Sequence, residues 1–170
     1  MKHVNCEFKA RLKNEMHVRA ILRRLRARYV GLDHQVDTYF RVPRGRLKVR
    51  EGRIENALLF YQRPDIPRVR AAKIQMMELP AKSPTKCILA AALGVLAVVD
   101  KRREIYFVGN VKIHLDRVRG LGKFLEVEAI SRSGDRTKIR RQARKFQQLF
   151  DVSTSDVVAE SYSDLVRGRR

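Results

Sequence analysis

Carboxylates are scarce in this chain. Asp and Glu number 18 against 38 Lys and Arg, which leaves +20 at pH 7 in 170 residues. A field that strong is silent about fold but calls for an anionic partner: nucleic acid, a phosphorylated small molecule or an acidic membrane. Cysteine is nearly absent as well. Cys6 and Cys87 are too few for a disulfide framework and lack CxxC spacing. Each sits among apolar neighbours and reads as a reduced core thiol. Long apolar runs are missing: the longest, Cys87 to Val99, falls short of the about 20 residues that span a bilayer. Met1 to Lys13 is polar and charged, unlike a secretory signal. The expectation is a cytoplasmic protein without a membrane partner. No repeat or low-complexity block is present, and 44% apolar residues fit one globular domain over 1–170, with a basic tail at 166–170.

Periodicity places the elements. Val4 to Leu12 alternates, with Cys6, Phe8, Ala10 and Leu12 on one face and Asn5, Glu7, Lys9 and Arg11 on the other, the signature of a strand. Asn14 caps a helix whose apolar positions run from Val18 through Leu25 to Tyr29, ended by Gly31. Strand patterns follow at Gln35–Val42, Arg46–Glu51, Glu55–Arg63 and Val69–Leu79. Ser83-Pro84 starts a second helix that ends at Gly94. Val95–Val108, Val111–Val118 and Phe124–Ile130 alternate again, Asp135 caps a last helix, and the chain from Ser153 is irregular. About eight strands with tight connections mean an antiparallel sheet, and one of this size tends to close into a barrel. The fold class is α+β, mainly β: a closed eight-stranded antiparallel barrel with about three helices packed outside.

The polar faces of these strands carry the functional signal. A water-facing sheet is the simple account of charges there, but two details oppose it. Arg46, Lys48 and Arg50 share one face of one strand, roughly 7 Å apart, where like charges repel. A clasped triphosphate explains them, because Arg offers forked hydrogen bonds to phosphate oxygen. Glu126 and Glu128 repeat the geometry with carboxylates, and with Glu7 and Asp116 they form a hard oxygen site suited to Mg²⁺ or Mn²⁺. Together these are the parts of phosphoryl chemistry.

In this order and spacing the pieces resemble the CYTH family, the triphosphate tunnel metalloenzymes, and within it the class IV adenylate cyclase-like branch. They are Asn5-Cys6-Glu7-Phe8-Lys9, then Gln35, Asp37, Tyr39 and Phe40, then Gly45-Arg46-Leu47-Lys48-Val49-Arg50-Glu51. Tyr61-Gln62-Arg63, Lys101-Arg102-Arg103, His114-Leu115-Asp116, Leu121-Gly122, Glu126-Val127-Glu128 and Ser161-Tyr162-Ser163-Asp164-Leu165 follow. The resemblance covers nearly the whole chain. It implies a barrel that binds a triphosphate (ATP, inorganic triphosphate or similar) with divalent metal, then hydrolyses it or cyclises ATP. By match, Lys9, Arg46, Lys48, Arg50, Arg63 and Arg103 hold phosphates, joined by Arg68, Lys101 and His114; Glu7, Glu126, Glu128 and Asp116 hold metal; Lys9, Tyr39 and Arg50 are the catalytic candidates. Two departures stand out. Asn5 replaces the family's first Glu, and Arg68 and Arg70 stand where a Lys and a small hydroxyl residue are usual.

Several weaker signals stay open. His114 either touches phosphate or makes a structural hydrogen bond. Tyr39 either orients or deprotonates a nucleophile or packs in the wall. Gly120-Leu121-Gly122-Lys123 lacks the spacing of a phosphate loop. The basic helix faces at Arg19–Arg28 and Arg136–Lys145 leave room for RNA or polyphosphate as an additional partner. The sequence does not fix the oligomeric state, a dimer included. The rival to an enzyme is a non-catalytic module that binds nucleotide, polyphosphate or RNA, which would keep the cations and need no metal.

Overall fold

The computed structural model describes residues 2–168; Arg169 and Arg170 of the expected basic tail lie outside them. The elements are β1 (Lys2–Arg11), α1 (Glu15–Arg24), β2 (Arg28–Phe40), β3 (Arg46–Glu51), β4 (Ala57–Gln62), β5 (Arg70–Glu78), α2 (Thr85–Leu93), β6 (Val95–Val108), β7 (Val111–Val118), β8 (Gly122–Ser131), α3 (Arg136–Leu149) and α4 (Tyr162–Arg167). All strand pairs are antiparallel, and the order β1-β5-β4-β3-β2-β6-β7-β8 closes into a barrel because β8 pairs back onto β1. The eight-stranded barrel read from the sequence is therefore the fold.

The main apolar core lies outside the barrel wall. Cys6, Phe8 and Ala10 of β1, Ile113 of β7 and Val127 of β8 pack against Val18, Ile21 and Leu22 of α1 and Ile139, Ala143 and Phe146 of α3. The opposite parity of each strand faces inward. Lys9, Asp37, Lys48, Arg50, Lys101, Arg103 and Asp116 are all buried. The charged faces line an interior and not bulk water. Asn14 caps α1 by accepting from the His17 backbone N–H at 3.0 Å, and Asp135 caps α3 by accepting from that of Lys138 at 3.0 Å.

Four readings are corrected. First, α1 stops at Arg24, and Arg26 turns through φ 50°. Tyr29 belongs to β2, where it lies 4.9 Å from the Tyr106 ring. Gly31 ends no helix; at φ 149° it sits at a register shift in β2 that glycine accommodates. Second, Cys6 is buried as expected but Cys87 is exposed, because no residue of α2 is fully buried. Third, Thr85 is the first residue of α2, with Pro84 as its cap; the Ser83 hydroxyl accepts from the Thr85 N–H at 3.3 Å. Fourth, the chain after Ser153 is ordered as a short 3-10 turn (Thr154–Asp156) and α4, whose Ser161 and Asp164 form a capping box. No helix among the described residues is long and apolar enough to cross a membrane.

Candidate active site

Inside the barrel lies a cavity of about 610 Å³. The segment before α4 crosses one end. Its backbone carbonyls accept from wall cations: Glu160 from Lys9 at 3.3 Å, Ala159 from Arg63 at 3.0 Å and Val158 from Arg70 at 3.2 Å. The other end is edged by His3, Asn56, Leu79 and Arg132.

One carboxylate organises the cations on the β2–β3–β6 side. Asp37 accepts from Lys48 at 2.8 Å, from Lys101 at 2.6 Å and from Arg50 Nε at 2.8 Å. Burial alone would raise the Asp37 pKa, but Arg50, Lys101 and Lys48 together hold it well below the usual carboxylate range. Burial, with Arg50, Arg103 and Lys48 nearby, brings Lys101 down to about 7 against the pull of Asp37. A single carboxylate shared by three cations leaves excess positive charge facing the cavity.

A second carboxylate, Glu55, comes from the loop before β4. It accepts from Arg50 at 2.7 Å and from Gln35 at 3.0 Å, and it pairs with Lys112. Asp33, fully buried, holds this loop. Its carboxylate accepts backbone N–H groups from Arg53 at 2.8 Å, Ile54 at 3.1 Å and Glu55 at 3.0 Å, and the Gln35 amide at 2.9 Å.

The acidic side is built by β1, β7 and β8. Glu126 takes charge from Lys9 at 3.3 Å and from Arg103. Burial works against its ionised form, but Lys9, Arg103 and His114 keep it well below the ordinary range. Glu128 accepts from Asn5 at 3.3 Å. Oxygens of Glu126 and Glu128 and a ring nitrogen of His114 lie within 4.8 Å of one another. Neither nitrogen of buried His114 has a hydrogen-bond partner among the described residues. Burial and then Arg103 lower its pKa, so the ring is neutral and able to donate a lone pair. Two carboxylates and an orphaned neutral imidazole fit a divalent cation.

The structure brings Glu7, Lys9, Tyr39, Lys48, Arg50, Arg63, Arg103, Glu126 and Glu128 to the cavity wall. Glu7 faces Arg63 at 3.3 Å and Arg70 at 3.7 Å. The other candidates stand elsewhere. Lys101 is fully buried behind Asp37. Arg46 sits at the rim, held by Asp65 at 2.6 Å and Asp164 at 2.8 Å. The Asp116 carboxylate is engaged by protein donors: it accepts from Arg103 at 2.7 and 2.5 Å and from the Tyr162 hydroxyl at 2.7 Å. Arg68 lies outside the barrel, because the strand starts only at Arg70; Arg70 takes the inward place, 2% exposed. The Tyr39 hydroxyl accepts from Lys48 at 3.3 Å, and burial and the charge of Asp37 raise its pKa. Asn5 is buried behind Glu128, with Oδ1 unpartnered.

Sequence reasoning missed Asp33 and Glu55. Asp33 continues the inward parity of Gln35 and Asp37 by one step, so extending the alternation finds it. In sequence Glu55 reads as the first residue of the strand Glu55–Arg63, but β4 starts at Ala57 and Glu55 lies in the loop before it. The apolar lining was missed as well: Ile54, Leu59, Ile74, Met76, Ile105 and Phe107 surround the cavity beyond the charged ring.

The CYTH domain family model matches residues 3–162. The chain belongs to the CYTH family. A Methanocaldococcus jannaschii relative, "Putative adenylate cyclase MJ0240", is 24% identical over 173 residues, covering 95% of this chain and 98% of that protein. Among solved structures, the PH1012 protein of Pyrococcus horikoshii is 25% identical with a TM-score of 0.78, over 95% of this chain and 98% of its own. HpAC1 of Hippeastrum, described as having a dominant triphosphatase activity, shares the fold at 11% identity and a TM-score of 0.62, over 99% and 96% of the two chains.

Proposed function

We propose that this CYTH protein is a metal-dependent enzyme acting on an organic triphosphate, most simply a nucleoside triphosphate such as ATP. One observation carries the reading: several cations, a carboxylate pair and a set of apolar side chains line one cavity inside the barrel. Lys48, Arg50, Arg63, Lys9 and Arg103 line this cavity and in this reading bind the phosphate oxygens. Glu126, Glu128 and His114 are the residues that would hold Mg²⁺ or Mn²⁺. When bound, such an ion neutralises phosphate charge and polarises the P–O bond under attack.

The protein's own share is positioning and charge. Asp37 and Glu55 hold Arg50 by its Nε–H and one N–H of each terminal nitrogen, so the two remaining N–H groups are the ones left for phosphate oxygen. The apolar side chains give a base or comparable organic group a dry place to rest, which inorganic triphosphate would not use. A pure anion-binding module gains nothing from Glu126 and Glu128, because carboxylates beside a triphosphate weaken its binding. Hydrolysis by water at a terminal phosphorus and cyclisation by the 3′-hydroxyl at the α-phosphorus need these same parts. The family's relatives carry names of both kinds. Free cysteines and a nucleotide substrate are consistent with the cytoplasm.

The test is to incubate the protein with ATP and with inorganic triphosphate, with Mg²⁺ or Mn²⁺, and to separate the products. Phe107→Ala should raise KM for ATP about tenfold, the order of a lost aromatic contact, and leave inorganic triphosphate unaffected. Absence of turnover with every triphosphate and metal leaves the binding module.

A further inference from the structure

Helix α3 (sequence RTKIRRQARKFQQL) contains six cations and no Asp or Glu. Arg136, Lys138, Arg140, Arg141, Arg144 and Lys145 are all exposed. None of the six has a carboxylate partner among the described residues. In helix α1 Arg19 is neutralised by Glu15 and Glu104, both at 2.7 Å, and two exposed cations, Arg23 and Arg24, close the helix. Six like charges without a carboxylate partner on a 14-residue helix repel one another; Arg140 alone also meets the Cys6 thiol.

Their arrangement is specific. Arg136, Arg140 and Arg144 recur every four residues and form one row. Arg141 and Lys145 form the next, and a cleft of about 610 Å³ runs between the rows. The array runs about 14 Å along the helix axis, given the helical rise. A second hollow of about 290 Å³ joins Arg140 and Arg144 to Arg68 of the β4–β5 turn. That is where the misplaced phosphate-binding candidate ends up.

The chemistry narrows the partner. Ile139, Ala143 and Phe146 are buried against the barrel, so the helix has no apolar face to insert into lipid. Its exposed side has no aromatic residue on which single-stranded bases could stack. A flexible polyphosphate would lose chain entropy on a rigid straight array, whereas a duplex is already ordered. The cations project from a convex helical ridge, which the B-DNA major groove, about 12 Å wide, admits and the narrow groove of duplex RNA does not. We propose that α3 is a docking surface for duplex DNA, gripping its phosphates without regard to sequence. The proposal is independent of the barrel cavity.

The test uses the full chain and a fluorescent duplex DNA of about 20 base pairs, in two unrelated sequences, with binding followed by anisotropy across a salt series. Both sequences should bind equally, with log Kd rising against log salt at a slope of about 3 to 4, as expected for some four phosphate contacts. The triple variant Arg136→Glu, Arg140→Glu, Arg144→Glu should bind about 100-fold more weakly. A control with the same charge change on the α1 side, Arg23→Glu, Arg24→Glu, Arg26→Glu, should stay within about threefold of the parent. Should the first triple melt early, the Gln versions at the same positions replace it. Equal losses in both triples, or no binding to duplex DNA at low salt, would overturn the proposal. So would tighter competition by duplex RNA, single-stranded RNA or polyphosphate than by unlabelled duplex DNA.

Discussion

Asp37 and Lys101 meet at 2.6 Å, and neither side chain is more than 1% exposed. The contact is one arm of a three-cation arrangement in which Lys48 and Arg50 converge on the same carboxylate. Neutralising the hub without changing its size isolates its contribution. Asp37→Asn should lower unfolding stability by about 3–5 kcal/mol, the usual effect of leaving buried charge uncompensated. Saturating triphosphate, itself an anion, should restore part of the loss. Denaturant titration with and without triphosphate reads both effects; a loss that triphosphate does not touch would separate the hub from the binding site.

The clamp and the acids should differ in phenotype. Arg50→Ala removes forked contacts and should weaken triphosphate binding about 10- to 100-fold, as expected for hydrogen bonds to a charged group. Glu128→Gln should leave binding by the cations in place and reduce metal-dependent turnover at least about 100-fold. Calorimetric affinity and steady-state rates, with and without Mn²⁺, distinguish the two. Turnover indifferent to Glu128 would exclude it from the metal site.

Lys101 links the interior to pH. Its pKa is brought down to about 7 in the fold and is about 10.4 in an unfolded chain. Between those values the unfolded state binds more protons, so stability should rise with pH across that window. Lys9, brought down to about 8 chiefly by burial, acts in the same direction. Lys101→Met removes the larger contribution and should flatten the slope of unfolding free energy between about pH 7 and 10. Parallel slopes in parent and variant would show that Lys101 keeps its proton.

Gly52 is a steric gate for the Glu55 loop. A Cβ there would stand 2.5 Å from Asp33 Oδ2 and 2.8 Å from the Glu55 carbonyl. Gly52→Ala should therefore cost about 1–3 kcal/mol, as overpacking does. It should also loosen Glu55 from Arg50 and Lys112, which is visible as weaker triphosphate binding. An unperturbed Tm with unperturbed affinity would show that the loop relaxes freely.

The inward charges were legible because a strand alternates with a strict period, so Arg46, Lys48 and Arg50 could be placed on one face without coordinates. Closure followed from the count of short-linked strands. What escaped depended on neighbours distant in sequence. Asp116 has the correct parity, yet only the structure shows Arg103 and Tyr162 occupying it. Glu55 owes its place to backbone contacts with Asp33, 22 positions away. Tyr29 continues the spacing of Val18, Ile21, Leu22 and Leu25, and tertiary pairing of β2 with β6 overrode that local pattern. Cys87 was assigned to the core by its neighbours, but hydrophobicity alone does not say which side of α2 meets the barrel.

Asn5 and Glu128 touch across the β1–β8 seam although 123 positions separate them. The first strand therefore supplies half of a site whose other half is synthesised much later, and loop closure must precede any gain from their contact. A nascent chain that has emerged only as far as β7 has most of its cations but still lacks Glu126 and Glu128, which lie on β8. Assembly of the His114–Glu126–Glu128 cluster and closure of the barrel are thus one event, completed with the β1–β8 seam.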